Sequence, residues 1–374
     1  MRRIGILTFH RACNYGAALQ AYALYSVVRK LLADDTAVEV VDYLCDHLES
    51  VYNPFRLPDQ SGRFALIKKT IRFALHYREK SFSLKAFQKF RKKYLLLSKQ
   101  YSLSDIERSV NNYDMFIVGS DQIWNMDLTK GDATYFLNFE TAKTKKCSYA
   151  ASFGSPLSFQ EHSSEIVSYL NDFCEVSLRE KIGVNVLSKS LRCPIHTDLD
   201  PTLLLRRHDW EVISSESASN FRGKYILLYI VAPPKDLIEF AKELELITGY
   251  KVVMLCNSFK IGRGFKRLRR QTPADFINLV ANAEVVLTTS FHGLAFSIIF
   301  HRKFVVEVQS TDSTNYRIES LLQALGLEDR ILTESSLKSY HSSIDWLRID
   351  DLLNDERQKS ISYLRSITSF NRRK

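Results

Sequence analysis

No stretch of this 374-residue chain offers the ~20 unbroken apolar residues that a membrane-spanning helix needs. The opening residues MRRIGILTFHRACNYG start basic, but their apolar run stops at His10 and Arg11, which predicts a first strand rather than a cleaved leader. Cysteine is sparse. The six residues Cys13, Cys45, Cys147, Cys174, Cys193 and Cys256 include no CxxC pair and no histidine at ligand spacing, so neither zinc nor disulfides are expected. The pattern suits reduced thiols in a cytoplasmic protein. There is no GxGxxG fingerprint, no carboxylate cluster to hold a metal, no nucleic-acid recognition motif, no internal repeat and no low-complexity segment.

Acidic residues are also missing from one long segment. Between Arg63 and Lys99 stand twelve Lys or Arg against the single acid Glu79, which accounts for the whole net charge of +10. Apolar residues recur there at helical spacing, Phe64, Ile67, Ile71 and Leu75, then Phe87, Phe90 and Tyr94, and predict two basic amphipathic helices. Three uses remain open: a solvated helical insertion packed on its own domain, an anionic membrane surface, or nucleic acid. The missing recognition motif argues against the last.

An apolar content of 45% over this length is globular and too large for one ordinary core. Strand and helix patterns alternate, as in parallel sheets covered on both faces. Strands are expected at Ile4–Phe9, Val38–Tyr43, Asp114–Gly119, Lys146–Ser152 and Glu175–Leu178. After a Ser-rich linker near 214–223 the pattern restarts with Tyr225–Val231, Lys251–Cys256, Val285–Thr289 and Phe304–Val308. The fold class is therefore α/β, with two Rossmann-like domains facing a cleft. The N-terminal domain spans 1–215 with a basic helical insertion at about 48–112, the C-terminal domain spans 222–345, and a helix over 346–374 packs back on the first domain. Such sheets bind ligands outside the carboxyl ends of their strands.

That rule selects the polar residues of interest. The first strand runs into Asn14 and Gly16 at a helix start, where free amides suit an anion and Asn14 is either a ligand contact or a cap. The strand DMFIVG empties into Asp121, Gln122, Trp124 and Asn125, which offer acceptors for hydroxyls and an aromatic face for a sugar ring; the alternative makes Trp124 a core anchor and Asp121 an N-cap. Arg179 and Glu180 follow CEVSL, and the guanidinium either forks onto a carboxylate or phosphate or forms a surface pair with Glu180. Strand VVLTT leads to Ser290-Phe291-His292-Gly293, where His292 at a helix start could donate a proton beside a bound anion and Gly293 lets a ligand approach the backbone.

Taken together, LTFHRACNYGAALQAYAL, YDMFIVGSDQIWN, SYAASFG, SLRE, DPTLLL and TTSFHGLAFSIIF, in this order over most of the chain, resemble the polysaccharide pyruvyl transferases. The resemblance implies a fold like that of GT-B glycosyltransferases. It also implies transfer of pyruvate from phosphoenolpyruvate to two hydroxyls of a hexose, giving a pyruvate ketal. His292 becomes the essential histidine and Arg179 the arginine that binds phosphoenolpyruvate. Many members carry R-x-H where this chain has Ser290-Phe291-His292; Arg317 and Arg11 are the candidate replacements. The expected donor contacts are Arg179, Ser290, His292, Gly293, Asn14 and Gly16. Asp121, Gln122, Trp124 and Asn125 face the acceptor, with Asp121 taking a hydroxyl proton. No cofactor or metal is expected beyond phosphoenolpyruvate as donor substrate. The acceptor is expected to be a lipid-linked oligosaccharide or polysaccharide of capsule or exopolysaccharide synthesis, with the enzyme peripheral at the inner face of the cell membrane through 63–99 and no nucleic-acid partner. The rival readings are a glycosyltransferase using a nucleotide sugar and a non-catalytic carbohydrate-binding relative.

Overall fold

Strands that lie inside a parallel sheet are buried on both faces and must be apolar almost throughout, and the segments MFIV and YILLYI satisfy this by being buried at every position. The computed structural model describes residues 2–32, 35–53, 66–139, 144–154, 156–219, 221, 223–256, 264–308, 315–333 and 336–369. The N-terminal half holds β1 (Arg2–Leu7), β2 (Thr36–Tyr43), β3 (Leu97–Tyr101), β4 (Met115–Val118) and β5 (Lys145–Ser148) in the order β3-β2-β1-β4-β5. Two short strands, β6 (Val176–Leu178) and β7 (Ile195–Thr197), pair with each other. Single bridges from Cys147 to Glu175 and from Ala151 to Leu178 carry the first sheet on toward them.

The C-terminal half repeats the plan with β8 (Tyr225–Ile230), β9 (Lys251–Cys256), β10 (Lys266–Arg267), β11 (Val285–Thr288) and β12 (Lys303–Val306), ordered β10-β9-β8-β11-β12. The ladders joining these strands are parallel. Strand order reverses between β1 and β4 and again between β8 and β11, so each half has its crevice there. The fold is thus α/β, two Rossmann-like halves in the GT-B manner.

The basic segment differs from expectation. Residues Leu66–Tyr94 form one helix, not two; the stretch between the two apolar patterns holds serines but neither proline nor glycine, so nothing breaks the backbone ladder. The early apolar positions Phe64, Ile67, Ile71 and Leu75 fall outside the residues whose side chains are described. Further along, Phe87 and Phe90 are buried and their rings meet Tyr15 and Tyr22 of the helix Tyr15–Leu31. The inner face of this part of the helix is therefore spent on its own domain. Arg78, Lys85, Lys89 and Lys92 stay exposed at spacings that align them on the outer face. β3, inside the stretch read as a helical insertion, becomes the edge strand of the first sheet.

Two contacts lock the halves together. Tyr15 stacks on Phe276 with ring centroids 4.9 Å apart and planes 6° from parallel, and its hydroxyl donates to the Gln271 carbonyl at 3.1 Å. The helix Trp346–Thr368 returns to the N-terminal half: the Tyr363 hydroxyl donates to the Ser148 carbonyl at 2.8 Å, and the Ser360 hydroxyl accepts from the Leu199 amide at 3.0 Å.

Candidate active site

Thr289 and Ser290 carry the chain from β11 into the helix Phe291–Ile299. The Ser290 hydroxyl caps that helix, accepting from the Gly293 amide at 3.4 Å. Gly293 is required by space: a Cβ there would stand 2.4 Å from the Thr288 hydroxyl oxygen. The same is true across the cleft, where a Cβ on Gly16 would stand 2.1 Å from His292 Nδ1. One half's first helix thus begins against the other half's histidine ring. Asn14 caps that helix, its Oδ1 accepting from the Ala17 amide at 3.2 Å, and its side chain is otherwise exposed.

Arg179 follows β6 and is buried, 5% exposed. Its Nη2 lies 2.6 Å from Asp200 Oδ2 and donates to the Ser120 hydroxyl, while Nη1 stands 3.9 Å from Asp121 Oδ1. Asp200 caps the short helix Pro201–Leu204, with Oδ1 accepting from the Thr202 amide at 2.9 Å and hydroxyl at 2.6 Å. His292 Nε2 is 3.6 Å from Asp200 Oδ2. Burial opposes ionisation of Asp200, but the Arg179 guanidinium and His292 outweigh it and hold the carboxyl well below the usual carboxylate range.

Arg317, from the helix Asn315–Leu325, supplies a second guanidinium. Its Nη1 donates to Asp121 Oδ1 at 3.3 Å and its Nε is 4.0 Å from Glu180 Oε1. Burial first and then the neighbouring Arg179 charge lower its pKa from the ordinary arginine value. Both guanidinium carbons sit over the Phe291 ring, at 5.2 Å for Arg179 and 5.9 Å for Arg317. Glu180 is buried, accepts from the Ser152 hydroxyl, and is pushed up by burial. It is not a surface partner of Arg179.

The cluster therefore gathers Asp121, Arg179, Ser290, His292, Gly293 and Gly16 from the sequence-derived candidates. Sequence reasoning gave no role to Asp200, Ser120 or Ser152. The signal for Asp200 was the Asp-Pro step in DPTLLL, since an aspartate before a proline at a helix start is a cap. Other candidates go elsewhere. Trp124 is 1% exposed, its Nε1 donates to the Tyr135 carbonyl at 3.0 Å and its ring packs on Phe136 and Phe153. That is the core-anchor alternative, with no ring face left for a sugar. Asn125 caps the helix Met126–Thr129, and Gln122 is half-buried beside it. Arg11 is committed to Asp42 at 2.7 Å and Glu49 at 2.5 Å, so the second guanidinium of the cluster is Arg317.

Charge is not balanced atom by atom. Arg179 Nε and Nη1, Arg317 Nε and His292 Nε2 are buried without a hydrogen-bond partner among the described residues, each an expense of ~1–3 kcal/mol unless something accepts from it. The arrangement gathers buried donors of Arg179, Arg317 and His292 beside the Asp200 Oδ2 acceptor, which also lacks a hydrogen bond among the described residues, and such donors suit a small ligand rich in anionic oxygens.

Residues 14–308 match the polysaccharide pyruvyl transferase family. The chain belongs to that family. No curated protein sequence matches it. Among solved structures it is similar to Methanocaldococcus jannaschii UDP-GlcNAc 2-epimerase in complex with UDP-GlcNAc and UDP, at 12% identity over 98% of this chain and 99% of that one, with a TM-score of 0.50. A co-structure of S. aureus MnaA with UDP matches at 13% identity over 96% and 90%, TM-score 0.50. The Streptomyces glycosyltransferase SsfS6, complexed with thymidine diphosphate, matches at 12% identity over 98% and 99%, TM-score 0.44. At such identities the likeness is one of fold. As a member of the family this pyruvyl transferase is a transferase of polysaccharide chemistry, and among its described residues no helix is long and apolar enough to cross a membrane.

Proposed function

We propose that this pyruvyl transferase moves pyruvate from phosphoenolpyruvate onto two hydroxyls of a hexose in a polysaccharide precursor, closing a cyclic ketal. The observation that carries the reading is the set of buried nitrogens on Arg179, Arg317 and His292 that make no hydrogen bond among the described residues, because phosphoenolpyruvate brings a carboxylate and a phosphate whose oxygens would accept from them. Arg179 and Arg317 take the anionic oxygens, and the starts of the helices Tyr15–Leu31 and Phe291–Ile299 add their amides. Arg317 thereby supplies the cation that Ser290 does not.

In this reading His292 delivers a proton to C3 of the donor, with Asp200 orienting the imidazole. C2 acquires oxocarbenium character and is attacked by the first sugar hydroxyl, whose proton passes to Asp121, the less enclosed carboxylate with 17% of its side chain exposed. The C2–O bond to phosphate breaks, phosphate leaves with the proton that Asp121 had taken, and the second hydroxyl closes the ring on C2 while its proton returns to His292. The chain's own groups suffice for these steps, with phosphoenolpyruvate as donor substrate and no cofactor.

The acceptor in this proposal is lipid-linked, with the enzyme cytoplasmic and peripheral at the inner membrane face through the exposed stripe Arg78, Lys85, Lys89 and Lys92. Each such charge adds ~1 kcal/mol near an anionic leaflet. Incubation with phosphoenolpyruvate and a panel of hexose acceptors, free and on undecaprenyl diphosphate, tests the chemistry. Phosphate release that depends on acceptor is expected; release from none of them, or consumption of a nucleotide sugar instead, refutes it. For the membrane part, a Lys85→Glu, Lys89→Glu, Lys92→Glu variant should lose at least tenfold in sedimentation with phosphatidylglycerol vesicles. Unchanged sedimentation would remove the membrane surface from the proposal.

A further inference from the structure

A hollow lies at the opposite end of the helix that begins beside His292. A cavity of about 430 Å³ opens between Arg206, Arg207 and the stretch of the C-terminal helix that carries Asp350, Asp351, Asn354 and Arg357. That volume falls in the range of ~300–1,000 Å³ that accommodates small ligands. His292 stands at the start of the helix Phe291–Ile299, and Ile299, at its end, lines the cavity, so the two places are ~10 Å apart along the helix axis alone at 1.5 Å per residue. This cavity is separate from the donor cluster.

Its lining has two characters. Three arginines, Arg206, Arg207 and Arg357, stand in its lining. Arg357 Nε donates to the Leu203 carbonyl at 2.5 Å, Arg207 Nε donates to Glu211 at 2.8 Å, and Arg206 has no side-chain ion pair among the described residues. Burial, and next the Arg206 charge, lower Arg357 from the ordinary arginine value; an anion placed between them would relieve that repulsion. The lining also holds oxygen acceptors. Asp350 Oδ1 is 3.0 Å from His301 Nε2, and Asp351 and Asn354 add further oxygens to the lining. Ile299 and Leu353, both nearly fully buried, give the wall a small apolar patch.

A bare polyanion would meet repulsion from the two aspartates. A molecule with an anionic group at one end and hydroxyls along the rest meets partners of both kinds: guanidinium for phosphate, and carboxylate and amide for hydroxyls. We infer that this cavity binds a small sugar phosphate. The inference does not depend on the pyruvyl-transfer chemistry, since none of these residues belongs to the donor cluster.

Calorimetric titration of the full chain with glucose 1-phosphate tests it. Binding is expected in the natural chain, and an Arg206→Ala, Arg207→Ala variant, altered only at exposed side chains, should bind at least tenfold more weakly at unchanged thermal stability. An Arg206→Lys, Arg207→Lys variant should recover part of the affinity. Glucose should not bind, and inorganic phosphate should bind at least tenfold more weakly than the sugar phosphate. No binding to the natural chain, or binding that the alanine variant leaves intact, would overturn the site; phosphate binding as tightly as glucose 1-phosphate would overturn the ligand class. Phosphate release from phosphoenolpyruvate by the alanine variant, measured in parallel, should equal that of the natural chain, so failure here leaves the transferase reading standing, and the reverse.

Discussion

Two of the helices that start at the carboxyl edge of the C-terminal sheet have their first turns satisfied in opposite ways. At Leu237–Thr248 the buried Glu307 carboxylate accepts from the amides of Lys235, Asp236 and Leu237 at 2.6, 3.0 and 3.0 Å. At Phe291–Ile299 the cap is only the neutral Ser290 hydroxyl, and two guanidinium groups stand over Phe291. The first helix has its counter-charge built in. The second has an uncharged cap, and the guanidinium groups beside it are shared with Asp121 and Asp200. The mechanism proposed above puts the donor phosphate at the second helix, and the start of the other is occupied by the protein's own Glu307 carboxylate.

The strongest way to break that contrast is Arg179→Met. It should lower phosphate release from phosphoenolpyruvate by at least about 10²-fold, the scale of losing one charge-stabilising donor; retained activity would mean the anion sits elsewhere. The same change leaves Asp200 buried without its cation, a loss of ~3–5 kcal/mol readable by urea unfolding. Next, Asp200→Asn tests the pair from its other side. Asp200 is depressed below its unfolded value, so the stability it contributes is complete above about pH 4 and is lost as pH falls further. The natural chain's advantage over Asp200→Asn should accordingly be full at neutral pH and shrink below pH 4; an advantage that grew on acidification would contradict the assignment.

Smaller effects sharpen the picture. Gly16→Ala improves helix propensity by ~1 kcal/mol yet thrusts a methyl into the His292 ring, so activity should fall by roughly 10–10²-fold while far-UV circular dichroism stays unchanged. Full activity would show that His292 can move aside without consequence. Smallest on catalysis is Glu307→Ala, which strips three amides of their acceptor and should cost ~1–3 kcal/mol of stability. The phosphoenolpyruvate concentration for half-saturation should change less than about threefold. A rise matching that of Arg179→Met would erase the distinction between the two helix starts.

Much of this was legible because parallel strands advertise themselves: DMFIVG, YILLYI and VVLTT are near-continuous apolar runs. β3, with the sequence LSKQY, was not, since an edge strand with half its residues solvated looks like loop. The turn Ser290-Phe291-His292-Gly293 could be placed after a strand and so at a carboxyl edge. Its partners could not. Asp200 and His292 are 92 positions apart, and no local pattern reports that a capping aspartate also faces a guanidinium from a different strand. Trp124 misled for a related reason: an aromatic beside Asp and Gln suits a sugar, but its neighbours in space, Phe136, Phe153 and Phe173, make it core.

The returning helix Trp346–Thr368 bears on how the molecule is made. Its Tyr363 reaches Ser148 across 215 residues of sequence, and its Ser360 reaches Leu199 across 161. On the ribosome one flank of the N-terminal half must therefore stay uncovered until the helix Trp346–Thr368 has been synthesised. Translation order and folding order diverge here: a helix that follows both sheets in the chain covers the domain whose strands came first.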